Sequence, residues 1–201
     1  SGKTRVLTHR VAYLIDELGV NPWNILAITF TNKAAKEMKE RVSALTGEKG
    51  EEVWVSTFHS MCARILRRDI DKLGYTRSFT IYDEDDQSAV LKEQLKHFNI
   101  DDKRLSVREL KGKISDAKNK LLSPDEWFRQ IEKDFRCQQI HDIYDGYEKR
   151  LKASNALDFD DLLVRTLELF ADHPPVLESY RERFQYVHVD EYQDTNFAQY
   201  T

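Results

Sequence analysis

Two short stretches at opposite ends of the chain restrict its fold more than anything between them. Near the carboxyl end, Tyr186-Val187-His188-Val189 has the alternating β-branched pattern of a strand, and Asp190-Glu191 follow directly. Open parallel sheets bind ligands at the carboxyl ends of their strands. A carboxylate pair placed there suits one Mg²⁺ ligand and one group that orients or deprotonates a water. At the amino end, Ser1-Gly2-Lys3-Thr4 supplies the second half of the phosphate-loop pattern G-x-x-x-x-G-K-[ST]. Either signal alone is weak, since S-G-K-T is a common tetrapeptide. Together they point to a nucleotide-binding α/β domain.

The chain between them starts in agreement. Leu7, Val11, Leu14, Ile15 and Leu18 predict one apolar helix stripe, ended by Gly19. The helix N-terminus would offer backbone N–H groups to phosphate, with Lys3 adding a point charge and Thr4 a hydroxyl for Mg²⁺. Ile25 to Phe30 is nearly all apolar, as in a strand covered on both faces. A helix is expected from Asn32, as N-cap, to Leu45, with Gly47 stopping it. Val53 to Ser56 predicts another strand. A regular helix then carries Phe58, Met61, Cys62, Ile65, Leu66, Ile70 and Leu73 on one face. Such alternation means βαβ units and a parallel sheet.

After Gly74 the pattern changes. Apart from Phe79 to Tyr82, the stretch to about Asn155 reads as helices. Asp83 to Asp86 gives an acidic helix start, with Ala89, Leu91, Leu95 and Phe98 behind it. Ser123-Pro124-Asp125-Glu126 combines an N-cap, a proline at N1 and a capping-box acid. Ile140, Ile143, Tyr144, Tyr147 and Leu151 stripe a further helix. Residues 77–154 are therefore expected to form a helical subdomain inserted between 1–76 and 155–201. Beyond it, Asp158 caps a helix whose buried side includes Leu162, Leu163 and Leu167; the acids Asp158, Asp160 and Asp161 fit a first turn better than a metal site. Pro174-Pro175 starts one more helix.

Composition excludes several classes. A chain of 201 residues, 40% hydrophobic, can bury a real core. A net charge of −4 with 33% charged residues neither requires nor excludes nucleic acid, because local patches decide binding. Cys62 and Cys137 are isolated, which disfavours a zinc or disulfide framework and suits a reducing cytoplasm. An apolar run of transmembrane length is lacking, so a membrane partner is not expected.

Five stretches, in order, resemble the motifs of superfamily 1 helicases: Ser1 to Arg5, Ile28 to Ala35, Ser56 to Ser60, Ala156 to Leu162, and Asp190 to Asn196. The similarity runs through the whole chain and is narrowest to the UvrD/Rep/PcrA group. It implies a RecA-like P-loop NTPase domain (1A, parallel sheet) interrupted by an all-helical subdomain (1B). The implied parent is an ATP-dependent DNA helicase, moving 3′→5′ on single-stranded DNA in repair and replication.

The resemblance also implies roles. Gly2 would give a backbone amide to the phosphates, Lys3 would contact the β- and γ-phosphates of ATP, Thr4 would bind Mg²⁺, and Asp190 would hold it, usually through water. Arg5 would approach the base or ribose. Glu191 would polarise the attacking water. Gln193 would sense the γ-phosphate or link the nucleotide site to DNA, or else it and Asp194 are plain helix capping. For DNA, Phe30 would stack a base while Thr31, Asn32 and Lys33 hold phosphate, although the run before Phe30 equally suits a core residue. Thr57, His59 and Ser60 would meet a backbone phosphate. Phe159 would stack another base, or serve as a hydrophobic staple. Arg64, Arg67 and Arg68 read as a solvated face, as do the lysines from Lys111 to Lys120 unless they touch duplex. Phe197 departs from the polar or basic residue common in relatives.

Expected partners are single-stranded DNA, single-strand/duplex junctions, and the remaining helicase segments: the upstream half of the phosphate loop, RecA-like domain 2A and subdomain 2B. Thr201 falls within a predicted helix, so the chain is expected to be a piece of a longer helicase and inactive alone. The alternatives are an incomplete, non-catalytic nucleotide- and single-strand-binding module, and the helicase part of a nuclease-coupled relative.

Overall fold

The computed structural model describes residues 2–131 and 134–201; Ser1, the first residue of the phosphate-loop tetrapeptide, lies outside them. In chain order the elements are α1 (Gly2–Asp16), β1 (Ile25–Thr29), α2 (Asn32–Thr46), β2 (Trp54–Thr57), α3 (Phe58–Asp69), β3 (Thr80–Ile81), α4 (Glu84–His97) and α5 (Val107–Asn119). They continue as α6 (Pro124–Arg129), α7 (Phe135–Ala153), β4 (Ala156–Leu157), α8 (Phe159–Asp172), α9 (Pro174–Arg183), β5 (Tyr186–Val189) and α10 (Phe197–Tyr200). The result is a helix-rich α/β structure with a small parallel sheet. It divides into two units, Ser1–Arg64 with Phe170–Thr195, and Ile65–Leu169 with Asn196–Thr201.

The first unit is built on a three-stranded parallel sheet in the order β2-β1-β5. All five residues of the central β1 are buried, as its apolar run requires. Val11, Leu14 and Ile15 of α1 and Met38 and Val42 of α2 pack with Ile25 and Ala27 into one core cluster. Leu18 does not join the stripe: α1 ends at Asp16, and Gly19 reverses the chain with φ of +63°, leaving Leu18 57% exposed. The cap of α2 is Thr31 rather than Asn32. Thr31 has extended backbone and its Oγ1 accepts from the Ala34 N–H at 3.1 Å, so Asn32 is already helical. Gly47 closes α2 at φ +66°, as expected.

The long apolar face predicted after β2 is shared by two elements. α3 stops at Asp69, and Ile70–Leu73 form a 3₁₀ turn closed by Gly74 at φ +75°. The arginines on α3 are not simply solvated. In the first unit the Arg64 guanidinium lies 4.3 Å from the Trp54 ring centroid. In the second unit Arg67 covers the Phe79 ring at 3.7 Å and donates to the carbonyls of Arg77 and Phe79.

The second unit packs α4, α5 and α7 around a core that includes Leu91, Leu110, Ile143 and Tyr147. Local signals hold here. Asp83 and Asp86 form a capping box on α4, and Ser123 and Glu126 form one on α6. Within the α4 run, Ala89 is exposed and Val90 is the buried residue instead. Gly146 on α7 faces Gln94 of α4 so closely that a Cβ would overlap its amide oxygen. A short ladder joins this unit's chain segments: β3 pairs in parallel with β4, Thr80 opposite Ala156 and Ile81 opposite Leu157. Among the described residues, no helix is long and apolar enough to cross a membrane.

Candidate nucleotide and nucleic-acid sites

Parallel pairing sets the carboxylates of the first unit. β5 runs beside β1 with Ile28 opposite Val189, and the Asp190 N–H continues the ladder by donating to the Ile28 carbonyl at 2.9 Å. Asp190 is thereby buried at the carboxyl end of the strand pair. α1 brings Thr4 to it, and the Thr4 hydroxyl donates to Asp190 Oδ2 at 2.9 Å. Lys3, mostly exposed, places its ammonium 3.6 Å from Glu191 Oε2. Glu191 has a left-handed backbone (φ 51°, ψ 42°); its N–H donates to Asp190 Oδ1 at 3.2 Å, and its carboxylate accepts from the Gln193 amide. Left-handed backbone at a non-glycine residue is a cost that clusters at functional sites. Gly2 opens α1 with free space where a Cβ would stand. Arg5 lines a cleft of about 460 Å³ with Thr8, His9, Arg41, Ala44 and Leu45.

One further polar group lies near this strand end. Burial, and then the Arg10 charge, hold the pKa of His188 below the usual imidazole value, and its Nδ1 is buried without a hydrogen-bond partner.

The ends of β1 and β2 carry the residues expected to face DNA. Thr29 stands opposite Thr57 in the ladder, so the segments that follow leave neighbouring strands at the same level. Phe30 is 36% exposed and meets Phe58 edge-on, with ring centroids 5.7 Å apart. It is neither core nor a bare surface residue. Thr31 caps α2, and Asn32 and Lys33 are exposed on its first turn. Thr57 is buried; its Oγ1 accepts from the Ser60 N–H at 3.2 Å and donates to Ser60 Oγ at 2.9 Å. His59 is partly exposed on the first turn of α3.

Phe159 belongs to the second unit, where it opens α8 and is 49% exposed. Asp158 and Asp161 bracket it in a reciprocal cap: the Asp161 N–H donates to Asp158 Oδ1 at 2.8 Å, and the Asp158 N–H to Asp161 Oδ2 at 3.2 Å. The sequence does not signal what neutralises these acids. Lys118, grouped by pattern with the solvated lysines of α5, is only 2% exposed. Its ammonium donates to Asp158 at 2.8 Å and Asp161 at 2.9 Å, and sits 2.6 Å from Glu148. Tyr147 donates to Asp158 at 2.9 Å, and Arg165 reaches Glu148 at 2.6 Å.

Burial opposes the Lys118 charge, yet Asp161, Glu148 and Asp158 hold its pKa well above the lysine value. Burial likewise raises Asp161, to about 7, against the pull of Lys118. For Asp158 burial is outweighed by Lys118 and the surrounding hydrogen bonds, and its pKa is lowered. Among the described residues, no group of three His, Cys, Asp or Glu side chains could hold a metal ion.

The strand-end aspartate bonded to the threonine of a lysine-threonine helix start thus sits in a helix-rich α/β structure with a small parallel sheet. The model of the UvrD/REP helicase N-terminal domain matches residues 1–201, and the chain belongs to that family. Among its relatives, the ATP-dependent DNA helicase PcrA of Staphylococcus epidermidis is 57% identical over all 201 residues, and that of Staphylococcus aureus 56%. Both alignments cover 100% of this chain and 27% of the relative, so the chain spans about a quarter of the length of the curated relatives it matches.

Proposed function

We propose that this chain is the ATP-binding and DNA-binding N-terminal part of an ATP-dependent DNA helicase, with a RecA-like P-loop domain (1–76 and 155–201) and an inserted helical subdomain (77–154). The parent would translocate 3′→5′ on single-stranded DNA and unwind duplex at junctions, in repair and replication in the cytoplasm.

The observation that carries the reading is the 2.9 Å Thr4–Asp190 contact. Thr4 and Asp190 therefore lie close enough to share one Mg²⁺, Thr4 as a ligand and Asp190 through a water, with further waters and substrate phosphate completing its coordination. When bound, that ion would neutralise charge developing on the β- and γ-phosphates. Lys3 would turn from Glu191 to the phosphates, and Gly2 would offer its amide at the positive end of α1. Glu191, released from Lys3, would orient the attacking water, with Gln193 joined to its carboxylate and able to report the γ-phosphate. Arg5 would meet the base or ribose.

On the DNA side, Phe30 and Phe159 would stack bases, and Thr31, Asn32, Lys33, Thr57, His59 and Ser60 would hold phosphates. The remaining partners would be the upstream half of the phosphate loop, domain 2A and subdomain 2B. In the full-length protein, Lys3→Ala should abolish hydrolysis of ATP stimulated by single-stranded DNA. Retained hydrolysis would overturn the assignment.

A further inference from the structure

The residues around Phe159 are held from one place. Asp158, Asp160 and Asp161 surround it in sequence, and each is bonded by the last turn of α5. Lys118 takes Asp158 and Asp161, while Asn119 donates to Asp160 Oδ1 at 3.3 Å. Asn119 also accepts from Asn196 Nδ2 at 2.7 Å, and so is fixed on its other side. A reciprocal cap of two aspartates is self-repelling unless a cation compensates it, and Lys118 is the buried cation that does so. The backbone of the first turn of α8, from which the half-exposed ring projects, thus takes its position from α5.

We propose that Lys118 and Asn119 are positioning residues for Phe159: they fix the first turn of α8 so that the ring is presented to a nucleobase of single-stranded DNA. The inference rests on the base-stacking reading of Phe159 and adds what holds the ring in place. A side chain pre-set in its bound geometry loses less freedom on binding, so loosening its support costs affinity without removing a contact.

The test is a double-mutant cycle in the full-length protein, reading the affinity for a fluorescent oligothymidine by anisotropy at a temperature where every variant is folded. Phe159→Ala should weaken binding roughly 5- to 150-fold, the worth of one stacked base. Lys118→Met should weaken it by a similar factor, and Asn119→Ala by less. In a Phe159→Ala background neither should weaken it more than about twofold, because the group they position is gone. Leu91→Ala, a core cavity on α4 in the same unit, should lower thermal stability without changing affinity in either background. If Lys118→Met does not fold, Asn119→Ala and Tyr147→Phe carry the same cycle.

Unchanged affinity in Lys118→Met and Asn119→Ala, or equal losses with and without Phe159, would overturn the proposal while leaving the base contact standing. Unchanged affinity in Phe159→Ala would overturn the base contact, and the positioning role with it.

Discussion

The Thr4 hydroxyl donates to Asp190 Oδ2 at 2.9 Å, joining residues 186 positions apart at the carboxyl end of β5. Thr4→Val keeps the shape and removes the donor. It should cost about 0.5–1.5 kcal/mol of stability, the net worth of one hydrogen bond, and, in the full-length protein, reduce the proposed ATP hydrolysis to background. Thr4→Ser keeps the hydroxyl and should retain both. Chemical denaturation and a phosphate-release assay check the pair; an active Thr4→Val would reject Thr4 as an Mg²⁺ ligand.

Phe30 is half in and half out, edge-on to Phe58. Phe30→Ala should lose about 1–3 kcal/mol of single-strand binding, the usual cost of one base–aromatic stack. Its stability loss should be smaller than for a core phenylalanine, whose truncation costs about 3–5 kcal/mol. Titration with labelled single strand, beside a melt of the same variant, separates the two contributions. A large stability loss with unchanged binding would make Phe30 a core residue.

Lys118→Met strands the buried carboxylates of Asp158 and Asp161. The expected destabilisation is about 3–5 kcal/mol, as for other buried pairs broken from one side. Adding Asp161→Asn should recover part of it, because the burial that holds Asp161 near pH 7 already disfavours its charge. Urea midpoints of the single and double variants decide the point.

His141 lies between two acids, Nε2 2.7 Å from Asp125 and Nδ1 3.0 Å from Asp142. Burial lowers its pKa, but the hydrogen bonds and charges of Asp142 and Asp125 outweigh that and raise it. The folded state therefore holds its proton more tightly than the unfolded chain. The stability this adds is complete below about pH 6.5 and is lost as pH rises through the higher folded value. The Asp125 side chain is 82% exposed, so solvent keeps the effect small. Denaturation midpoints from about pH 6 to 8 should fall more steeply in the wild type than in His141→Gln. Equal slopes would contradict the raised pKa.

Local rules read the first unit well. Val11, Leu14 and Ile15 of α1, the buried β1 and the left-handed Gly47 follow from spacing and glycine geometry alone. The capping box of α6 and the acidic start of α4 follow from four consecutive residues each. Long-range pairing escaped the pattern. Lys118 follows the partly exposed Lys111 and Lys113 on a lysine-rich helix, and its partners lie 40 and 43 residues later. Arg67 has the spacing of a solvated residue, yet its flat guanidinium covers Phe79, a choice made by tertiary packing rather than periodicity. The pairing of residues 3 and 4 with residues 190 and 191 was legible because two weak motifs at opposite ends of the chain support each other. The support beneath Phe159 had no sequence signature.

The left-handed backbone of Glu191 sets stability against activity at one position. Holding a residue with a Cβ there costs about 1–2 kcal/mol, which glycine avoids. Glu191→Gly should therefore melt at a higher temperature than Glu191→Ala, although both lack the carboxylate proposed to orient water. Selection for heat tolerance alone would drift away from glutamate here. The water-orienting role proposed for the carboxylate is what would favour glutamate over glycine at this position.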